Sequence, residues 1–317
     1  MYEREKTVML ATSASLLPNN LCRVRRNGKV WAGVVHRDRL NIVCASDPEG
    51  EPRQIAANIG SSVTANILQA AWVTLHGREL LVLATAAGVL VYEWDGSVLL
   101  HAHLLPTPPA DASSSFTRGI AALYSGVICV GVHTGEILSL PVTEEGTVGE
   151  GEKVRYHARP VTALAAHGLI LVSADDQGTI VVAEDVEGLR KMCLIETYNE
   201  TAVTCLKAWA GQIVAGYLSG HIRIFNLHDG RIQAEVCAHV RSVSGLDVAV
   251  ESGLLISASE DTFVRVWQLG KIDVPIEHKY SFSERDTTIC GVTFTDDLGA
   301  GYLTTGYDRL DLLCYAM

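Results

Sequence analysis

A strand–turn–strand pattern recurs about every 45 residues along this 317-residue chain. Each copy reads as an apolar strand, a tight turn that often carries glycine, and a second strand rich in β-branched residues. The turns of the seven copies fall at residues 38, 88, 135, 178, 220, 262 and 308. A strand-only repeat of this length predicts the four-stranded blade of a β-propeller, because helical repeats of similar length need a 3.6-residue periodicity.

The seven copies fill the chain, so we expect one all-β domain over 1–317, a single seven-bladed β-propeller. The approximate blades are 19–57, 63–104, 118–155, 160–197, 202–238, 242–282 and 288–315. The last copy supplies only three strands, and the segment 6–12 belongs to no blade of its own. We therefore expect 6–12 to be the outer strand of the last blade, an arrangement that closes the ring and leaves no open edge.

Composition and charge exclude several classes of protein. Hydrophobic residues make up 48% of the chain, enough for a core without disulfides or metals. The longest uncharged apolar run, Leu80 to Tyr92, is shorter than the roughly 18–20 residues of a membrane-spanning helix. No apolar stretch follows a basic start, so we expect no secretory signal and a cytoplasmic location. The net charge of −11 argues against nucleic acid as a partner.

The sequence carries no recognisable catalytic or cofactor-binding motif. It has no phosphate-binding loop, no His-Glu-x-x-His pair and no Gly-x-Ser-x-Gly elbow. The eight cysteines are scattered, without the Cys-x-x-Cys spacing of a zinc or redox site, and most lie in apolar runs that favour burial. We therefore expect no enzyme activity, no cofactor and no metal site, and a hydrolase is the least favoured function.

The segment from Ser257 to Trp267, with His239 before it, resembles the WD-repeat family of β-propellers. In that family a buried network joins the histidine before the inner strand, a Ser or Thr on the second strand, the aspartate of the tight turn and the tryptophan of the third strand. The resemblance assigns these places to His239, Ser257, Asp261 and Trp267. Such a network satisfies polar groups in a dry blade. A catalytic His/Ser/Asp relay uses the same residue types, but the spacing is that of the structural network and no oxyanion-hole element accompanies it.

Other blades depart from this pattern. Blade four has His157, but its turn-aspartate position falls on Gln177, with Asp175 and Asp176 just before it, and Ala183 stands in the place of the tryptophan. Blade seven keeps Asp308 but has Cys314 at the tryptophan position.

Two features are candidates for interaction with other proteins. Arg23, Arg25, Arg26 and Lys29 surround Asn27-Gly28, which is a strong signal for a two-residue hairpin turn. We expect this cationic hairpin either to bind an acidic protein, such as a tubulin tail or an acidic coiled coil, or to be a solvated turn. The Pro- and Ser-rich stretch 105–115 is either a binding loop or a plain connector.

The predicted function is a non-enzymatic scaffold for protein–protein interaction. Short stretches such as Phe116–Ala122 and Thr305–Asp308 resemble one branch of the WD-repeat family, and this resemblance implies a ciliary, flagellar or cytoskeletal assembly. The alternative is a substrate receptor of a cullin-type ubiquitin ligase. Such receptors often carry an arginine two residues after a Trp-Asp dipeptide, and Trp94-Asp95 lacks one. Partner identity and oligomeric state stay open.

Overall fold

Seven four-stranded sheets make up the described part of the chain, which in this computed structural model covers residues 2–60, 63–106, 115–197, 199–270 and 276–317. Each sheet is one blade, and its strands follow the order of the sequence except in the last blade. No helix occurs among the described residues. The blade number and all-strand composition predicted from the repeat are therefore confirmed.

The blades contain 28 strands within the described ranges. The first blade and the strand that precedes it consist of β1 (Glu3–Met9), β2 (Leu21–Arg26), β3 (Lys29–His36), β4 (Arg39–Cys44) and β5 (Arg53–Ala56). Blades two to four consist of β6 (Ile67–Leu75), β7 (Arg78–Thr85), β8 (Gly88–Glu93), β9 (Leu99–Leu104), β10 (Thr117–Leu123), β11 (Val127–Val132), β12 (Glu136–Pro141), β13 (Glu152–Arg155), β14 (Val161–His167), β15 (Ile170–Asp175), β16 (Ile180–Asp185) and β17 (Leu189–Ile195). Blades five to seven consist of β18 (Val203–Trp209), β19 (Gln212–Tyr217), β20 (His221–Asn226), β21 (Ile232–Cys237), β22 (Val243–Ala249), β23 (Leu254–Ser259), β24 (Phe263–Gln268), β25 (Glu277–Ser283), β26 (Ile289–Phe294), β27 (Gly301–Gly306) and β28 (Asp311–Ala316).

The chain divides into two compact units. Unit one comprises residues 1–36, 40–54 and 204–317, and unit two comprises residues 37–39 and 55–203. Within each unit the core lies between neighbouring blades. In unit one, Val214 and Ile224 of blade five pack with Val243 and Leu255 of blade six. A strand that is covered on both faces has a nearly continuous apolar sequence, and β19 is an example.

An N-terminal strand completes the last blade, as predicted, but its bounds differ from the prediction. β1 runs over Glu3–Met9 rather than 6–12 and pairs antiparallel with β28. The apolar pattern places the start of this strand too late, because the outer strand is largely exposed and begins with charged residues. The strand ends where Leu10 donates its N–H to the carbonyl of Leu310 and Thr12 donates its N–H to the side chain of Asn41.

Buried side chains of the N-terminal segment join the last blade to its neighbours in unit one. The Tyr2 ring lies 5.3 Å from the ring of Tyr280 and 5.1 Å from that of Tyr302, and its hydroxyl donates to the carbonyl of Gly299. Val8 is buried in the cluster that holds blades seven and one together. The first strand therefore adds core as well as an edge strand.

Residues 107–114 of the predicted Pro- and Ser-rich loop lie outside the described residues. The Asn27-Gly28 turn is confirmed, because both residues have positive φ, 50° and 74°, and Arg26 pairs with Lys29 across it.

Candidate protein-binding surfaces and the networks that support them

A buried hydrogen-bond network brings together the four residues expected from the WD-repeat resemblance. His239 Nδ1 lies 3.1 Å from both carboxylate oxygens of Asp261, and its Nε2 lies 2.9 Å from Ser257 Oγ. Trp267 Nε1 donates to the same Ser257 Oγ over 3.0 Å. With its proton on Nδ1, His239 donates to the carboxylate and accepts from the serine hydroxyl, so every polar atom of the network has a partner.

Asp261 also holds the backbone around the histidine. Its two carboxylate oxygens accept the N–H groups of Phe263 and Val240, each over 3.0 Å. Burial by itself raises the pKa of Asp261, but the hydrogen bond and charge of His239, together with the two N–H donors, outweigh it and lower the pKa to about 2. The network therefore fixes the position of His239 and Val240, in the segment that leads into β22.

Gly220 allows the chain to pass close to this segment. His239 donates its N–H to the Gly220 carbonyl, and Gly220 has a φ of +83°. A Cβ at this position would lie 2.2 Å from the carbonyl oxygen of His239. Only glycine fits this conformation and this close approach without strain. The turn that ends at Gly220 is thereby held beside His239.

Blade four carries a second network of this type, which the sequence pattern missed. His157 Nδ1 lies 3.1 Å from Asp175 and its Nε2 lies 2.8 Å from Ser173 Oγ. Asp175 stands two residues before Gln177, the position where the pattern places the carboxylate. It reaches the histidine and also accepts the N–H groups of Gln177 and Thr179. Burial raises the pKa of Asp175, but the bonds from His157 and the two N–H groups outweigh it and lower the pKa.

The four cations of the predicted hairpin patch do not lie on one face. Arg26 pairs directly with Lys29 across the turn, whereas Arg23 and Arg25 point to the opposite face of the two strands, because successive side chains alternate. Arg25 and Lys29 are exposed. Arg23 forms an ion pair with Asp297 over 3.1 Å. The hairpin therefore presents Arg25 and Lys29 to solvent, whereas Arg23 binds Asp297 within unit one.

Charged side chains near Arg23 form a further network within unit one. Lys207 Nζ lies 2.9 Å from Asp247 Oδ1, and the Thr293 hydroxyl donates to Asp247 Oδ2 over 2.7 Å. Burial raises the pKa of Asp247, but the charges of Lys207 and Arg23 and the bond from Thr293 outweigh it and lower the pKa. Arg23 is thus held by the acidic groups of blades six and seven.

Two pairs of exposed apolar side chains lie at opposite ends of the inner strand β22. Three residues before the strand begins, Val240 is 89% exposed, and Leu218, in the turn that Gly220 holds beside His239, is 57% exposed. At its end, Val250 is 55% exposed and Leu298 is 60% exposed. We name these the His239 surface (Leu218 and Val240) and the hairpin-turn surface (Val250 and Leu298). The seven residues of β22 separate them by roughly 23 Å.

Backbone and indole hydrogen bonds connect the parts of the hairpin-turn surface. Glu251 donates its N–H to the carbonyl of Asp297, which links the turn of Val250 to the turn of Leu298. Trp209 Nε1 donates to the carbonyl of Val250 over 3.0 Å. The ion pair between Arg23 and Asp297 attaches the cationic hairpin to the same surface.

Comparison with known proteins identifies the family. The WDR54 family profile matches residues 1–316. WD repeat-containing protein 54 of Mus musculus is 34% identical over 99% of this chain and 98% of its own length, and that of Homo sapiens is 32% identical over 98% of each. The chain belongs to the WDR54 family. The family resemblance predicted from His239, Ser257, Asp261 and Trp267 is thus confirmed at the level of the family.

Solved structures show the same fold for this chain. A chain of the structure entitled "Crystal Structure of Mitotic Checkpoint Complex" matches 99% of this chain with a TM-score of 0.77 and 16% identity. The structure of U3-55K matches 98% of it with a TM-score of 0.76 and 15% identity. The RRP9 WD40 repeats match with a TM-score of 0.75. The seven-bladed β-propeller predicted from the repeat is confirmed.

Neither a metal-ion cluster nor a membrane-spanning helix is present in the described ranges. No three or more His, Cys, Asp or Glu side chains among the described residues are grouped to hold a metal ion. In the same part of the chain, no helix has the length and apolar character needed to cross a membrane.

Proposed function

We propose that this WDR54-family chain is a non-enzymatic scaffold that binds one partner protein at each end of its strands. WD-repeat propellers of this fold support protein-interaction roles, and the observation that carries the proposal is the pair of exposed apolar surfaces at the two ends of β22. Contiguous exposed apolar patches rimmed by polar residues mark protein-interaction sites. Two sites roughly 23 Å apart, separated by the thickness of the blades, allow two partners to bind at once.

The His239 surface is rigid at its base. Asp261 binds the N–H of Val240, and Gly220 holds the turn of Leu218. Fixed backbone lowers the entropy that is lost when a partner binds. Burial of each exposed Val or Leu side chain contributes roughly 1.5–3 kcal/mol. Two such side chains on a fixed frame provide the apolar centre of a protein interface.

The hairpin-turn surface combines apolar and cationic groups. Leu298 and Val250 supply the apolar part, and the hairpin adds positive charge through Arg25, on the same face as Arg23, and through Lys29, on the opposite face. We expect its partner to carry acidic residues beside apolar ones. Acidic coiled coils have this chemistry and tubulin tails supply its acidic part, so a cytoskeletal, ciliary or flagellar assembly in the cytoplasm is the setting that we propose.

Arginine substitutions on the two surfaces test whether both bind partners. The variants are Leu218→Arg with Val240→Arg, and Val250→Arg with Leu298→Arg. A buried unpaired charge opposes binding, so each pair should lower recovery of one set of partners about tenfold and leave the other set bound. Partners are measured by cross-linking mass spectrometry of tagged full-length protein in native extract.

Val98→Arg with Val186→Arg is the matched control, because both side chains are exposed apolar residues of unit two, at 51% and 50% exposure. Its partners should equal those of the unmodified chain. Unchanged partners for both surface variants would contradict the proposal, and so would equal loss in the control.

Charge reversal at the hairpin tests the acidic partner separately. Arg25→Glu with Lys29→Glu should weaken binding of a Glu-rich tubulin-tail peptide about tenfold, which is about 1.4 kcal/mol. Arg23 is left unchanged, because its reversal would place like charges beside Asp297 and Asp247. Binding is measured by fluorescence anisotropy at low and high salt, and the difference should shrink as salt screens the charges.

The control for charge reversal is Arg190→Glu with Lys191→Glu, which changes the net charge equally on exposed residues of β17. An equal loss in this control would show a general charge effect, and equal affinity of all three proteins would exclude the hairpin as the acidic-peptide site.

A further inference from the structure

A cysteine, a histidine and a serine form a contiguous group at one edge of blade five. Cys237 ends β21 and lies opposite His221, the first residue of β20. Cys237 Sγ is 3.3 Å from His221 Nε2, and His221 Nδ1 is 3.0 Å from Ser219 Oγ. A nucleophile next to a base, with the base oriented by a third group, is the arrangement that activates a side chain for covalent chemistry.

Cys237 differs from the other cysteines in exposure. All eight cysteines lie in the described part of the chain, and among them Cys237 alone is exposed. Burial raises the pKa of Cys129 and Cys290 to about 12 and that of Cys314 to about 11, which keeps these thiols protonated and unreactive. Cys237 has both access to solvent and a base within reach of its sulfur.

The hydrogen bonds of His221 direct its basic nitrogen toward the sulfur. When Nδ1–H donates to Ser219 Oγ, the lone pair of Nε2 faces Cys237. On the same face, Arg223 forms an ion pair of 2.5 Å with Glu235, which lies two residues before Cys237. The positive charge of Arg223 therefore compensates the negative charge of Glu235.

We propose that Cys237 is a thiol–disulfide exchange site that takes small, solvent-borne disulfides of the glutathione type. The Cys237 thiol gives its proton to His221 Nε2, and the thiolate attacks one sulfur of the disulfide. The Cys237–sulfur bond forms as the disulfide bond breaks, and the leaving thiolate carries away the electron pair and takes the proton from His221. The Cys237 sulfur is oxidised and the leaving sulfur is reduced, so no further reactant takes part.

The test is the rate at which the full-length protein forms a mixed disulfide with oxidised glutathione at neutral pH. Intact-mass spectrometry counts the adducts and peptide mapping locates them. We expect Cys237 to react at least about tenfold faster than half-buried Cys22 and Cys193, and Cys237→Ser to remove the fast adduct. Cys193→Ser is the matched control and should keep it.

His221→Gln separates the effect of the base from exposure alone. The amide cannot take the thiol proton, so the rate at Cys237 should fall about tenfold. A thermal melt identical to that of the unmodified chain shows that the fold is retained. If this variant does not fold, Ser219→Ala takes its place and should slow the reaction severalfold. Adducts spread evenly over Cys22, Cys193 and Cys237, or an unchanged rate in the folded His221 or Ser219 variant, would overturn the proposal.

Discussion

Deletion of residues 2–9 should convert the stable folded protein into an unstable, aggregating species. The deletion removes the buried side chains of Tyr2 and Val8 and leaves the edge of β28 without its partner strand. Loss of a buried aromatic side chain alone costs about 3–5 kcal/mol, and the lost strand pairing adds to it. An uncovered strand edge also promotes association between copies. Differential scanning fluorimetry and size-exclusion chromatography measure both effects.

A peptide added in trans shows whether the missing strand is the cause. A synthetic peptide of residues 2–12 should restore much of the melting temperature of the deleted protein, because it can pair with β28. The same peptide with Val8→Asp should not, since it places a charge in the apolar cluster of blades one and seven. A deleted protein that melts like the full chain would contradict the role assigned to β1.

Asp261→Ala should be the most destabilising single change in the blade-six network. It leaves the imidazole of His239 and the N–H groups of Val240 and Phe263 without their acceptor in a buried site. We expect a loss of about 3 kcal/mol of unfolding free energy, measured by chemical denaturation. Gln177→Ala is the matched control in blade four, where Asp175 binds the histidine instead, and it should be nearly neutral.

The pH dependence of the same residue provides a second measurement. Because the pKa of Asp261 is lowered from 3.8 to about 2, its charged form stabilises the folded state fully above about pH 4, and this contribution is lost as the pH falls toward 2. It amounts to about 2 kcal/mol. The stability difference between the unmodified chain and Asp261→Asn should shrink by that amount between pH 6 and pH 2. A difference that stays constant over this range would show that the charge of Asp261 contributes nothing.

The repeat and one near-complete motif were sufficient to predict the fold. The spacing of the turns determines how many strands fit in each copy. The sixth copy, together with His239 just before it, carries all four residues of the buried hydrogen-bond network. The blade-four network was missed because its carboxylate comes from Asp175, two residues before the expected position. Only the conformation of the turn shows that this side chain reaches His157.

The candidate sites were harder to predict, because they depend on residues far apart in the sequence. Arg23 was grouped with its neighbours in the hairpin, but it binds Asp297, which only the closure of blades one and seven brings close. The pair of Cys237 and His221 depends on the register of β20 and β21, which a bulge near Ile224 shifts by one residue. Hydrophobic periodicity does not report such a shift.

Mass photometry of native complexes tests the scaffold function most directly. The chain has a mass of 34.1 kDa without a tag, and we expect the unmodified protein from native extract to occur mainly in heavier complexes with other proteins. A variant that combines Leu218→Arg, Val240→Arg, Val250→Arg and Leu298→Arg should retain the fold by circular dichroism and be recovered without partner proteins, at the mass of the tagged chain alone. If the folded variant and the unmodified protein give the same mass distribution, the two surfaces do not hold partners and the proposed function is wrong.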